Sequence, residues 1–165
     1  MEDESNPDAS LLFLDEESLN NAPEELLTSA ERKRFEAFYG AIPTTRSQDA
    51  AQHIADIKAY ATDRGIRFAD TKARVISMFS HDALTDPATL FVGHTGIAVP
   101  YEGKILFLEK IAFDMPYQAI VVKDMQQLND YLMKKYDDGP GLEYGRPVIF
   151  DNGEVIEGMR YAKRT

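Results

Sequence analysis

The 165-residue chain has the length of one domain, and its 44% hydrophobic content suits a globular core. Asp and Glu outnumber Lys and Arg 28 to 18, a formal net charge of -10; nucleic acid is therefore not an expected partner, because binding it rests on a basic surface. Cysteine is absent, which excludes disulfides, thiolate nucleophiles and cysteine-ligated metals together.

No apolar run reaches the ~18 residues of a membrane-spanning helix. The acidic Met1-Glu2-Asp3-Glu4 start is not a secretory leader, which would be basic and then apolar. Localisation stays open between the cytoplasm and, for a chain trimmed upstream, the cell envelope or exterior. Residues 1–10 read as a loose acidic leader and 11–165 as one α+β domain. Leu11-Leu12-Phe13-Leu14 is a short apolar segment. Asn20-Asn21-Ala22-Pro23-Glu24-Glu25 has the cap, proline and carboxylates of a helix start. That helix is predicted to carry Leu27, Ala30, Arg34 and Phe38 on one line and to end at Gly40. A second helix is predicted from Ser47 to Arg64, with Ala50, Ile54, Ile57 and Ala61 as its core stripe. His53 falls off that stripe and reads as a surface or boundary residue.

The period then shifts toward strands, expected at 73–79, 90–99, 105–113 and 117–122, with a loop over 80–87 and a turn over 100–103. Asp124 caps a predicted helix through Tyr136, with Met125, Leu128 and Leu132 inward. The turn-rich 137–141 leads to a closing hairpin, 147–150 and 155–161, around Asn152-Gly153. Helices first and antiparallel strands after give the α+β class.

Chemistry concentrates on one strand pair. Gly93-His94-Thr95-Gly96 places an imidazole between two glycines, residues that often mark close approach in a strand. In Phe107-Leu108-Glu109-Lys110-Ile111, Glu109 projects from the face of Phe107 and Ile111 and needs a partner there. With a four-residue loop, Val99 pairs with Lys104 and His94 stands opposite Glu109, within hydrogen-bond reach. A five-residue loop would put Lys110 opposite His94 and send Glu109 to the other face. The first register is the expected one. A carboxylate on one ring nitrogen fixes the tautomer and stabilises the imidazolium, as a general base requires; a purely structural buried pair is the competing account.

Four segments carry a family likeness: Gly93-His94-Thr95-Gly96, Phe107 to Phe113, Pro116-Tyr117-Gln118, and Asp130-Tyr131-Leu132-Met133-Lys134-Lys135-Tyr136. Together they resemble a bacterial domain-of-unknown-function family, number 4300. The first two also resemble the core of NlpC-type, papain-like cysteine peptidases and amidases. That resemblance implies a papain-like antiparallel sheet with N-terminal helices packed on it, and hydrolysis of amide bonds in peptides or cell-wall fragments. His94 would be the base and Glu109 its orienter, with Tyr117 and Gln118 lining the cleft. It also implies a nucleophilic cysteine in an Asn-Cys-Arg element before Leu11, so this chain looks like a C-terminal part, or else a natural variant that lost the thiol. Without that thiol it should be inactive as written. A non-catalytic binding domain and an acidic interaction protein with a basic partner are the alternatives.

Other positions weigh less. Ser10, Ser77 and Ser80 lack the surroundings that make a hydroxyl nucleophilic. His81-Asp82 with His94 falls short of a zinc ligand set, His53 being on a distant helix, so no metal and no cofactor is expected. Asp137-Asp138 reads as a solvated turn rather than a calcium loop. Arg146 and Arg160 flank the hairpin and read as surface residues.

Overall fold

A computed structural model of the chain describes residues 28–112 and 115–161. The expected acidic leader, the Leu11–Leu14 segment and the Asn20–Glu25 helix start lie outside the described residues. The element order is α1 (Ser29–Tyr39), β1 (Ile42–Pro43), α2 (Ala50–Asp63), β2 (Arg74–Asp82), β3 (Thr89–Tyr101), β4 (Lys104–Lys110), β5 (Tyr117–Val122), α3 (Met125–Tyr136), β6 (Val148–Asp151) and β7 (Glu154–Val155). Seven strands form one antiparallel sheet of order β5-β4-β3-β2-β6-β7, with β1 paired to the start of β3. The chain is a mixed α+β domain.

Local chemistry explains the helix starts. Thr28 and Glu31 form a reciprocal capping box that begins α1, and Asp49 caps α2 through the Ala51 N–H. Asp124 caps α3 by accepting from the Gln127 N–H, while Lys134 and Lys135 sit at its negative end.

The sheet has two differently covered faces. Helix α3 lays Leu128, Leu132 and Met133 on one, against Ile76, Met78, Ala98, Phe107 and Ile149. The other is covered near β1, β2 and β6 by α1 and α2, with Ile57 and Phe38 against Phe79, Leu90 and Phe150. Over β3–β5 this second face is less covered, and Ile97, Leu108 and Val121 are exposed.

One irregularity lets β3 serve both cores. Met78 pairs with His94 and Phe79 with Val92, so Gly93 is an extra residue in the ladder. A bulge reverses the alternation that a regular strand enforces. Leu90 and Val92 therefore join the α1/α2 core while His94 and Ala98 face α3.

The turn into β4 is tighter than the four-residue loop expected from the sequence. Tyr101 pairs with Lys104 around Glu102-Gly103, both at positive φ, the geometry that matches strand twist in a two-residue hairpin. Pro100 had suggested a loop, yet it pairs with Ile105 inside the ladder. Strand β2 begins only at Arg74, opposite Ala98, so no neighbour on that side needs an N–H from Pro100. The terminal hairpin turns at Asn152-Gly153 as expected, but its second strand is only Glu154–Val155.

Gly96 earns its place through packing rather than ligand approach. A Cβ there would lie 2.4 Å from the Phe107 ring, and Phe107 is fully buried. Gly96→Ala is expected to cost about 1–3 kcal/mol of stability, the usual penalty for overpacking, read as a lower urea midpoint with an unchanged slope.

Candidate functional site

Strand β4 brings Glu109 to the face under α3, where it is 1% exposed. Its directly paired neighbours are Gly96 on β3 and Gln118 on β5. His94 is therefore a diagonal neighbour, two residues from the predicted opposite position. A two-residue slip preserves the face, and diagonal side chains remain within reach when long. His94 Nε2 and Glu109 Oε2 lie 2.5 Å apart.

The carboxylate has further donors. Gln118 Nε2 donates to Oε1 at 2.6 Å, and the Tyr131 hydroxyl donates to the same oxygen. Lys135 Nζ lies 3.4 Å from Oε2. The Gln118 amide also donates to the Tyr131 hydroxyl at 2.6 Å. On the far side of the imidazole, the Tyr136 hydroxyl is 2.8 Å from Nδ1, with the two rings 4.7 Å apart. Tyr131, Lys135 and Tyr136 sit at i, i+4 and i+5 on α3, so its last turns lay two phenols and an ammonium over the strand pair.

The charges can be assigned. Burial raises the Glu109 pKa, but hydrogen bonds from Tyr131 and Gln118, with His94 and Lys135 nearby, reverse this and hold it below its ordinary value. Glu109 favours the charged form of the imidazole, as expected, but a larger effect opposes it. Burial lowers the His94 pKa, and Glu109 only partly offsets this. His94 is thus a neutral imidazole near pH 7: Nε2–H donates to the carboxylate, and Nδ1 keeps a lone pair facing the Tyr136 O–H. Burial also lowers the pKa of the Lys135 ammonium, but Tyr136 and Glu109 more than compensate. A neutral imidazole oriented by an anionic carboxylate is a proton acceptor at Nδ1.

Of the residues singled out in the sequence, the structure brings together His94, Glu109 and Gln118. Tyr117 stands apart: one residue from Gln118 on β5, it falls on the opposite face and is 69% exposed. There it borders a groove of about 460 Å³ lined by Phe38, Tyr39, Phe68, Thr95, Leu108 and Lys110, among others. Sequence reasoning did not assign Tyr131, Lys135 or Tyr136 to the site. The signal was the Asp130–Tyr136 segment itself, the fourth of the quoted motifs.

Several expectations are corrected elsewhere. His53 is fully buried rather than a surface or boundary residue. It is not distant from His81: the two rings lie 4.5 Å apart. His53 Nε2 meets the Ser47 carbonyl at 2.8 Å, His81 Nε2 meets that of Thr45 at 3.1 Å, and His81 Nδ1 accepts the Gly145 N–H at 2.8 Å. These contacts pin two loops to the fold, and the described residues contain no cluster of three or more potential metal ligands. Asp137 is not in a solvated turn but fully buried, paired with Arg146, whose guanidinium covers the Tyr161 ring. Arg160 pairs with Asp130 at the surface.

Acid should loosen this site in two stages. The folded pKa of His94 is depressed below 6.5, so the unfolded chain takes up that proton first and stability falls as pH drops below about 6.5. His81, also depressed by burial, adds to the same slope. Glu109, depressed below 4.5, contributes stability that is present above that value and lost as pH falls through its folded pKa. Urea midpoints between pH 7 and 3 are expected to decline throughout. Glu109→Gln is expected to lower stability by about 1.5–3 kcal/mol at pH 7, the usual worth of hydrogen bonds to a buried charged group, and to flatten the curve below pH ~4.5.

No curated protein and no solved structure matches the chain. A family model described as "Domain of unknown function (DUF4300)" matches residues 1–156. The His94 and Glu109 strands, Gln118 and helix α3 all fall inside that match, and the chain belongs to this family of domains.

Proposed function

We propose that this domain follows the plan of the NlpC-type, papain-like cysteine peptidases and amidases, with amide bonds of cell-wall or related peptides as its substrate class. The observation that carries the reading is the 2.5 Å contact between His94 Nε2 and Glu109 on adjacent strands. It leaves Nδ1 as the nitrogen for proton transfer. On this reading His94 is the general base and Glu109 holds its tautomer and orientation. Gln118 positions the carboxylate, because its amide nitrogen is committed to Glu109 and Tyr131.

The mechanism needs a thiol, and the sequence contains no cysteine. By itself the chain is expected to hydrolyse nothing by this route. In a polypeptide where an Asn-Cys-Arg element precedes Leu11, release of free amine from cell-wall peptides should require both that cysteine and His94. His94→Ala should lower kcat about 10²–10⁴-fold, the usual contribution of a general base. Unchanged hydrolysis in that variant would remove His94 from the chemistry.

A second reading, a binding domain without turnover, draws on the groove of about 460 Å³ on the opposite sheet face. That volume is in the range of small-ligand sites, and the surrounding Ile97, Leu108 and Tyr117 are exposed. Calorimetric titration with cell-wall peptides separates the two. Binding weakened about tenfold or more by Leu108→Asp, yet untouched by His94→Ala, would favour binding over catalysis.

A further inference from the structure

His94 has both ring nitrogens engaged, and the second contact is the informative one. Nε2 faces the Glu109 carboxylate, which can only accept, so Nε2 carries a proton; because burial holds the ring neutral, Nδ1 is a lone pair. The Tyr136 hydroxyl, 2.8 Å away, is the donor to that lone pair. Whatever passes a proton to His94 must occupy the position now held by this phenol.

We infer that Tyr136 is a gate on His94: its hydroxyl holds Nδ1 closed and adds to burial in favouring the neutral ring until another hydrogen-bond donor displaces it. The inference rests on reading His94 as a base, and it deepens that reading by naming what controls the base. The gate moves as a side chain and not as a helix. Just beyond Tyr136 the backbone is fixed: the Asp137 N–H bonds to the Met133 carbonyl at 3.0 Å, and the buried Asp137 carboxylate accepts from the Gly139 N–H at 3.0 Å and from Arg146. Opening is therefore rotation of the phenol away from the imidazole. Lys135 remains, its Nζ 5.1 Å from the Tyr136 ring centroid and 3.4 Å from Glu109. The incoming group meets an imidazole lone pair beside an ammonium. That suits an acidic X–H donor whose conjugate base is anionic, such as a thiol or a carboxylic acid.

The groups facing His94 set opposite signs for the test. Glu109 favours the imidazolium. Tyr136 favours the neutral ring, because protonating Nδ1 requires its hydroxyl to turn away, and Lys135 opposes added positive charge. In NMR titrations of the His94 ring, Tyr136→Phe is expected to raise the midpoint by about one pH unit, the equivalent of one neutral hydrogen bond. Glu109→Gln is expected to lower it. A ring that merely packs against His94 would leave the midpoint unmoved in Tyr136→Phe, and an unchanged or lowered midpoint overturns the gate. If that variant does not fold, the wild-type protein still decides: long-range proton–nitrogen spectra must show the proton on Nε2, and a proton on Nδ1 overturns the gate. Both readouts are independent of hydrolysis. A failed peptidase assay leaves the gate standing, whereas a failed titration removes the gate and leaves the peptidase proposal to its own assay.

Discussion

A carboxylate with 1% of its surface exposed has to be fully provided with donors or it would not stay ionised inside the fold. Glu109 meets that demand by drawing donors from three other elements: His94 on β3, Gln118 on β5, and Tyr131 and Lys135 on α3. Each satisfies Glu109 only if its own element is in register, so one charge ties together three strands and the helix that covers them. The apolar contacts of Phe107, Leu128 and Leu132 hold α3 against the sheet. They are tolerant of small shifts, whereas four donors converging on two oxygens are not. The carboxylate thus selects one docking of α3 among the many that burying leucines would permit.

That selection also fixes what His94 can do. A histidine beside a carboxylate is commonly expected to be charged, yet here the loss of water around the ring outweighs the partner. The Lys135 ammonium, 3.4 Å from the same carboxylate, opposes a second positive charge as well. The neutral ring then has a defined tautomer with its basic nitrogen turned to Tyr136. The arrangement favours accepting a proton over donating one.

How much of this could be read from the sequence follows from the range of each interaction. The α+β class and the His94–Glu109 contact were legible because side chains alternate with period two. The predicted loop was two residues too long, and an error of two keeps every side chain on its face. Pro100 caused that error, since its tolerance inside β3 depends on where β2 begins, a fact written 26 residues away at Arg74. Residues Tyr131, Lys135 and Tyr136 were visible as a motif but not as site residues, because the rotation of α3 about its axis depends on the donors that Glu109 requires. The His53–His81 contact was misjudged for the same reason: two residues separated by 28 positions meet only through the packing of α2 on the sheet.

The two faces of β3–β5 then make opposite demands on neighbouring residues. Gln118 belongs to the polar network under α3, and Tyr117 borders an apolar groove on the other side. His94 and Thr95 divide in the same way. A one-residue slip would exchange the faces, burying Lys110 and Tyr117 under α3 and exposing Glu109. Two local devices oppose it. The two-residue turn at Glu102-Gly103 sets β4 against β3, and the bulge at Gly93 sets His94 against Met78. Neither touches the carboxylate, yet the geometry of the site is decided at those two points, where the backbone conformation and not the chemistry of the side chains chooses the face.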